Sequence, residues 1–179
     1  MCRILNQSAT WTTRSGFKFL VRPAVADDEA ALAEFFTHVA NDDLRFRFLS
    51  GQRTVSHDQL ATMLRNDNQT ESFLAFAPNG ILIATAMLAC DAAIERGEVA
   101  IAIRADYKGR GVGWELLEYI AHYAEKAGIR TLEAVESREN DAAIELEREL
   151  GFTVTGCPGD ATLVVVRRDL IQTSFAKSA

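Results

Sequence analysis

Apolar side chains alternate along Phe17–Arg22, which predicts a first strand, and Pro23 helps to end it because it lacks an amide proton. The period then changes. Leu32, Phe35, Phe36 and Val39 recur at spacings of three and four, so Asp27–Ala40 reads as an amphipathic helix. Asp27, Asp28 and Glu29 occupy its first turn, where the helix dipole favours negative charge. Asp42–Leu49 predicts a further turn or two. Ser56-His57-Asp58-Gln59 has capping-box spacing and opens a second helix through Leu60, Met63 and Leu64. Ser72–Ala77 and Ile81–Cys90 are apolar runs joined by Pro78-Asn79-Gly80, a hairpin turn, and Glu98–Ala105 is another strand. The clearest helix is Gly111–Ala127, where Gly113, Leu116, Leu117, Ile120, Ala121 and Ala124 form one stripe and Gly128 supplies the stop. Leu132–Val135 then reads as a strand, Asp141–Leu150 as a helix, and Phe152–Thr155 and Thr162–Val166 as closing strands.

That order of elements departs from the strict strand–helix alternation of a doubly wound fold. It implies an α/β (α+β) chain with a single mixed, mostly antiparallel sheet flanked by helices on both faces. Residues 17–168 form one domain in this reading, with 1–16 and 169–179 as tails. A length of 179 residues suits one core.

Composition mainly excludes. The absence of any apolar run near ~20 residues argues against a membrane span, and Met1–Gly16 has no secretory pattern, so a cytoplasmic location is expected. The three cysteines (Cys2, Cys90, Cys157) and three histidines are scattered without metal-site spacing, which argues against a disulfide framework and against a metal. A formal net charge of -6 disfavours nucleic acid and is compatible with a cationic acceptor.

The chemistry concentrates in one loop. The strand ending Ile101-Ala102-Ile103 leads through Tyr107 into Lys108-Gly109-Arg110-Gly111-Val112-Gly113-Trp114 and then the long helix. A strand, a glycine-rich turn and a helix N-terminus make an anion site: unpaired amides point outward, the dipole adds partial positive charge, and glycine permits close approach. Lys108 and Arg110 add charge suited to a diphosphate. A dinucleotide fingerprint would require glycine where Trp114 stands, and no Gly-Lys-Ser/Thr ending marks a nucleoside triphosphate loop.

Lys108-x-x-Gly111-x-Gly113 resembles the coenzyme A signature of the GNAT N-acetyltransferase superfamily, with lysine in place of glutamine or arginine. The stretch from Asn140 through Leu146 and Leu150 to Gly151-Phe152 resembles that superfamily's later segment, and Asp43–Leu49 is similar to part of bacterial Pat-type protein lysine acetyltransferase domains. The resemblance implies acetyl-CoA as cosubstrate. It places the pyrophosphate on the amides of Gly109–Trp114 (Gly109, Arg110, Gly111, Val112, Gly113, Trp114), the pantetheine arm beside Ile101, Ala102 and Ile103 at a splay between strands, and Asn140 near that arm. Asn140 also suits a helix N-cap. The acceptor is then a primary amine, on a protein lysine or a small molecule.

Glu98, at the start of an apolar strand, is the candidate base, because partial burial there would raise its pKa; following Glu95 and Arg96 in a polar turn, it reads alternatively as a solvated residue at a strand start. The tyrosine that the resemblance places after the leucine of the last helix is Glu147 here, which reads as an exposed, solvated residue without a role in acid catalysis. Arg45 and Arg47 read equally as acceptor-site residues or as solvated charges between apolar anchors. A non-catalytic acyl-CoA-binding module is the rival to an enzyme, and a homodimer is compatible with exposed strand edges.

Overall fold

The computed structural model describes residues 8–170. Its strands are β1 (Ala9–Thr12), β2 (Lys18–Pro23), β3 (Thr70–Phe76), β4 (Leu82–Cys90), β5 (Arg96–Ile103), β6 (Thr131–Ser137), β7 (Thr153–Gly156) and β8 (Leu163–Asp169). Its helices are α1 (Glu29–Thr37), α2 (Asn41–Phe48), α3 (His57–Met63), α4 (Val112–Lys126) and α5 (Asp141–Glu149). The strands make one sheet of eight in the order β1-β2-β3-β4-β5-β6-β8-β7. Neighbours run antiparallel except β5 and β6, which are parallel.

Two cores lie on the two faces of this sheet. On one, Leu32 and Phe35 of α1, Leu44 of α2 and Leu60 and Met63 of α3 pack with Leu74, Leu82 and Ala102. On the other, Leu116, Leu117 and Ile120 of α4 and Ile144 of α5 pack with Phe73, Ile83, Val99 and Leu132. Strands covered on both sides bury successive residues on alternate faces, which explains why burial runs almost without a break along β3 and β4, taking in the polar Glu71, Ser72 and Thr85.

Local rules account for most boundaries. Ser56 Oγ accepts from the Gln59 amide at 3.3 Å while Gln59 Oε1 accepts from the Ser56 amide at 2.9 Å, the reciprocal box that starts α3. At the start of α1, Asp28 takes both Arg22 guanidinium nitrogens, at 2.7 and 2.6 Å, and the Val25 amide at 2.8 Å. Gly80 in the β3–β4 turn has φ 81.

Four expectations change. Ala9–Thr12, read as part of a loose tail, pairs with Lys18–Val21 as the edge strand β1, and Trp11 meets Tyr119 edge-on at a ring distance of 5.8 Å. A four-residue strand has too few alternations to signal itself. Residues 1–7 and 171–179 lie outside the described residues, while β8 continues to Asp169. Cys90 is disulfide-bonded, against the expectation that the scattered cysteines form no disulfide, and Cys157 is the free cysteine among the described residues. Asn140 stands at the N-cap of α5 but makes no side-chain cap bond, because its amide is drawn to Glu136 at 2.7 Å. Among the described residues, no helix is long and apolar enough to cross a membrane.

Candidate active site

Strands β5 and β6 pair only at Arg96–Thr131, Gly97–Leu132 and Glu98–Glu133. Past that point β5 stays on β4 as far as Ile103, and β6 stays on β8 as far as Ser137. The sheet therefore splits into a V. Its open arm exposes the β5 edge from Val99 to Ile103, whose backbone groups have no ladder partner on that side. A cavity of about 520 Å³ fills the V. Its walls are Glu98–Ile103, Val135 and Glu136, the Lys108–Trp114 turn except Arg110, residues of α5 including Leu146 and Glu147, and Asp43, Phe46 and Arg47 of α2. Eleven of the twelve site residues expected from the sequence line this space, including Glu98 and Asn140; Arg110 stands outside it.

At the wide end lies the start of α4. The Gly111 carbonyl is the helix's first acceptor and takes the Glu115 amide at 3.2 Å, so the preceding amides have no intrahelical acceptor. Gly109 and Gly111 have φ 70 and 83, in the left-handed region that glycine enters freely. At Gly111 a Cβ would also meet Thr13 Cβ at 3.2 Å, and at Gly113 it would meet Ile103 Cδ1 at 2.9 Å. The glycines thus let the turn approach both its neighbours and the cavity. Arg104, 8% exposed, fixes the turn from below by donating to Glu34 at 3.0 Å and to Asp106 at 2.9 Å.

Three cations surround this turn. Lys108 pairs with Asp43 at 2.6 Å, tying the turn to α2. Arg110 lies over the Tyr107 ring at 4.6 Å, and Arg14 lies over Trp114 at 4.2 Å. Across the V, Arg45 of α2 reaches Glu139 at 2.7 Å. Helix α2 thus spans the opening, anchored on both sides.

The narrow part holds a group of charges that the sequence places only in part. Glu98 is exposed, which corrects the expectation of partial burial: its neighbours Gly97 and Val99 point into one core while it faces the opposite side. Glu147 is 5% exposed, which corrects the reading of a solvated residue. Burial, followed by repulsion from Glu136, pushes its carboxyl up to about 8. Glu136 is pushed up to about 7 by burial, opposed by the Asn140 hydrogen bond and the Arg47 charge. Arg47 is drawn inward rather than solvated; burial lowers its pKa, and Glu98 and Glu136 counter that loss.

Periodicity offered a signal for each carboxylate. Glu147 stands three residues from both Ile144 and Leu150, on the buried stripe of α5. Glu136 shares strand parity with the buried Leu132 and Ala134. Of the described tyrosines, Tyr107 lines the cavity, whereas Tyr119 and Tyr123 pack on Phe73 at ring distances of 5.4 and 4.8 Å. Among the described residues, no group of three or more His, Cys, Asp or Glu side chains is arranged to hold a metal ion.

A mixed sheet that splits beside a glycine-rich helix start defines an acyl-CoA N-acyltransferase fold, and the comparisons agree. The family model described as the acetyltransferase (GNAT) family matches residues 33–152, and the chain belongs to that family as an acyltransferase. It is 29% identical over 156 residues to an acetyltransferase of Pseudomonas aeruginosa, covering 85% of this chain and 84% of the relative. Among solved structures it is similar to the GNAT domain of S. lividans PAT, with a TM-score of 0.84 and 26% identity, covering 91% of this chain and 97% of that one. The fold is also shared with spermidine N-acetyltransferase from Vibrio cholerae, solved in complex with CoA and spermine. There the TM-score is 0.67 and the identity 18%, over 83% and 92% of the two chains.

Proposed function

We propose that this chain transfers an acetyl group from acetyl-CoA to a primary amine, on a protein lysine or a small molecule, by direct attack on the thioester. The observation that carries the reading is the parting of β5 from β6 immediately beside the free amides that open α4. A cavity of about 520 Å³ with an apolar wall and amide donors at one end fits an extended coenzyme arm carrying a diphosphate.

In this reading the amides of Gly109–Trp114 hold the pyrophosphate, and the unpaired edge at Ile101–Ile103 receives the pantetheine amides as an added strand would. Lys108 shares its charge between Asp43 and a phosphate oxygen, and Asn140 closes the opposite wall. Bound acetyl-CoA supplies the activated carbonyl. Amine protonation is the obstacle, since a lysine side chain has an ordinary pKa of about 10.4. Glu98, at the cavity rim and open to solvent, takes that proton directly or through one water and passes it outward.

The test has two arms. CoA is expected to raise the melting temperature while ATP and NAD leave it unchanged. Acetyl-CoA with a panel of lysine peptides, spermidine and amino acids is expected to release free thiol with at least one acceptor. A chain stabilised by ATP or NAD and not by CoA would defeat the proposal.

A further inference from the structure

Glu98 serves proton removal at the solvent rim, and nothing in that role uses the carboxyl at the opposite wall. Glu147 is 5% exposed, lines the cavity, and leaves Oε2 sealed from solvent with no hydrogen-bond partner. An ionised carboxylate would not leave an oxygen bare in such a place, because the desolvation cost of an unpaired buried charge is prohibitive. We propose that Glu147 is the general acid of the transfer, a neutral carboxyl that hands its proton to the departing coenzyme sulfur. This rests on the acetyl-CoA reading above and deepens it.

The placement follows from the helix. Leu146, the preceding residue, lies close enough to Gly113 that a Cβ there would stand 3.4 Å from its Cδ1. Glu147 therefore comes from the turn of α5 that packs beside the start of α4, on the wall facing the β5 edge. The charged and titratable groups lining the same cavity are Glu136 from β6, Arg47 and Asp43 from α2, Glu98 from β5, and Lys108 and Tyr107 from the turn. Strand β7, which also packs on α5, carries no ionisable side chain.

Repulsion from Glu136 adds to burial and holds the Glu147 proton to about 8. An ordinary thiol has a pKa of about 8.5, so proton transfer from this acid to the sulfur is nearly balanced, the condition under which general-acid catalysis is efficient. The step closes as follows. The amine nitrogen forms its bond to the acetyl carbon, and the carbon–sulfur pair leaves with sulfur. Sulfur takes the Glu147 proton, and the carboxylate recovers a proton from the newly acylated nitrogen. The one net proton of the reaction is that of the starting ammonium, which leaves through Glu98.

The experiment is Glu147→Gln, which keeps shape and polarity but has no transferable proton, with Glu147→Leu as a second variant. Acetyl-CoA and the best amine of the panel serve as substrates. Expected are a fall in kcat of about 10²-fold with little change in KM for acetyl-CoA, and, where the parent kcat profile is expected to fall on its alkaline side, a profile without that limb. Independently of turnover, carboxyl NMR of the free enzyme labelled with carbon-13 glutamate is expected to show a resonance titrating above neutrality that is absent from Glu147→Gln. Parent-like kcat in Glu147→Gln, or a Glu147 resonance titrating in the ordinary carboxylate range, would overturn the assignment of the acid alone. A parent enzyme inactive on every amine would remove the transfer reaction and the acid together.

Discussion

Replacing Glu147 by glutamine should change how the stability of this protein depends on pH, and the structure fixes the sign. The carboxyl moves from 4.5 to about 8 on folding, so between those values the native state binds the proton that the unfolded state has released. The unfolded state binds fewer protons, and stability therefore falls as pH rises. The penalty is absent below the unfolded value, grows through the interval, and is constant above the folded one. One pKa unit corresponds to about 1.4 kcal/mol, and the span from pH 5.5 to 8.5 contains roughly two units of this difference, or about 2–3 kcal/mol. The glutamine has its own burial cost, but that cost does not vary with pH. The melting temperature of Glu147→Gln relative to the parent should consequently climb by about 5–10 °C between pH 5.5 and 8.5, at the 2–4 °C per kcal/mol usual for chains of this size. Differential scanning fluorimetry across buffers of matched ionic strength measures it. Parallel curves for the two proteins would refute the claim that Glu147 is buried and neutral.

Glu98→Gln should leave the affinity for CoA intact while turnover drops about 10²-fold or more, and an unchanged kcat would remove Glu98 from proton removal. Gly111→Ala forces a left-handed backbone on a residue with a Cβ, at about 1–2 kcal/mol, and presses that Cβ against Thr13 at 3.2 Å. A lower melting temperature and weaker CoA binding by calorimetry should appear together. Asp28→Ala removes two arginine hydrogen bonds and the Val25 amide's acceptor, at about 2 kcal/mol by urea denaturation. Arg22 holds the Asp28 carboxyl below its ordinary range, so this contribution is present at neutrality and is lost as pH falls through the lowered value; a variant as stable as the parent at pH 7 would contradict it.

How far this molecule was legible from its sequence depended on whether one element sufficed to reveal a feature. The helix α4 stripe, the Ser56–Gln59 box and the Gly80 turn announce themselves locally, and their elements lie within a residue or two of where periodicity puts them. The glycine-rich turn was equally plain, because its conformation is set within seven consecutive residues, Lys108–Trp114. Strand β1 was not, since four residues at a sheet edge owe their structure to pairing with β2. The acid wall was missed for a related reason. The burial of Glu147 depends on α5 lying across the split sheet, and that of Arg47 on α2 spanning the opening. Charged residues at those positions read as solvated until the partners across the V are in place. Glu98 erred in the opposite sense: an apolar run suggested burial, but β5 faces two different environments and Glu98 takes the open one.

A crystal structure of the protein with CoA tests the central claim most directly. The phosphates should lie within hydrogen-bond distance of the main-chain amides from Gly109 to Trp114, with the pantetheine arm between β5 and β6 and its sulfur near Glu147. A bound coenzyme on another surface, with the V between the strands filled by protein side chains, would contradict it.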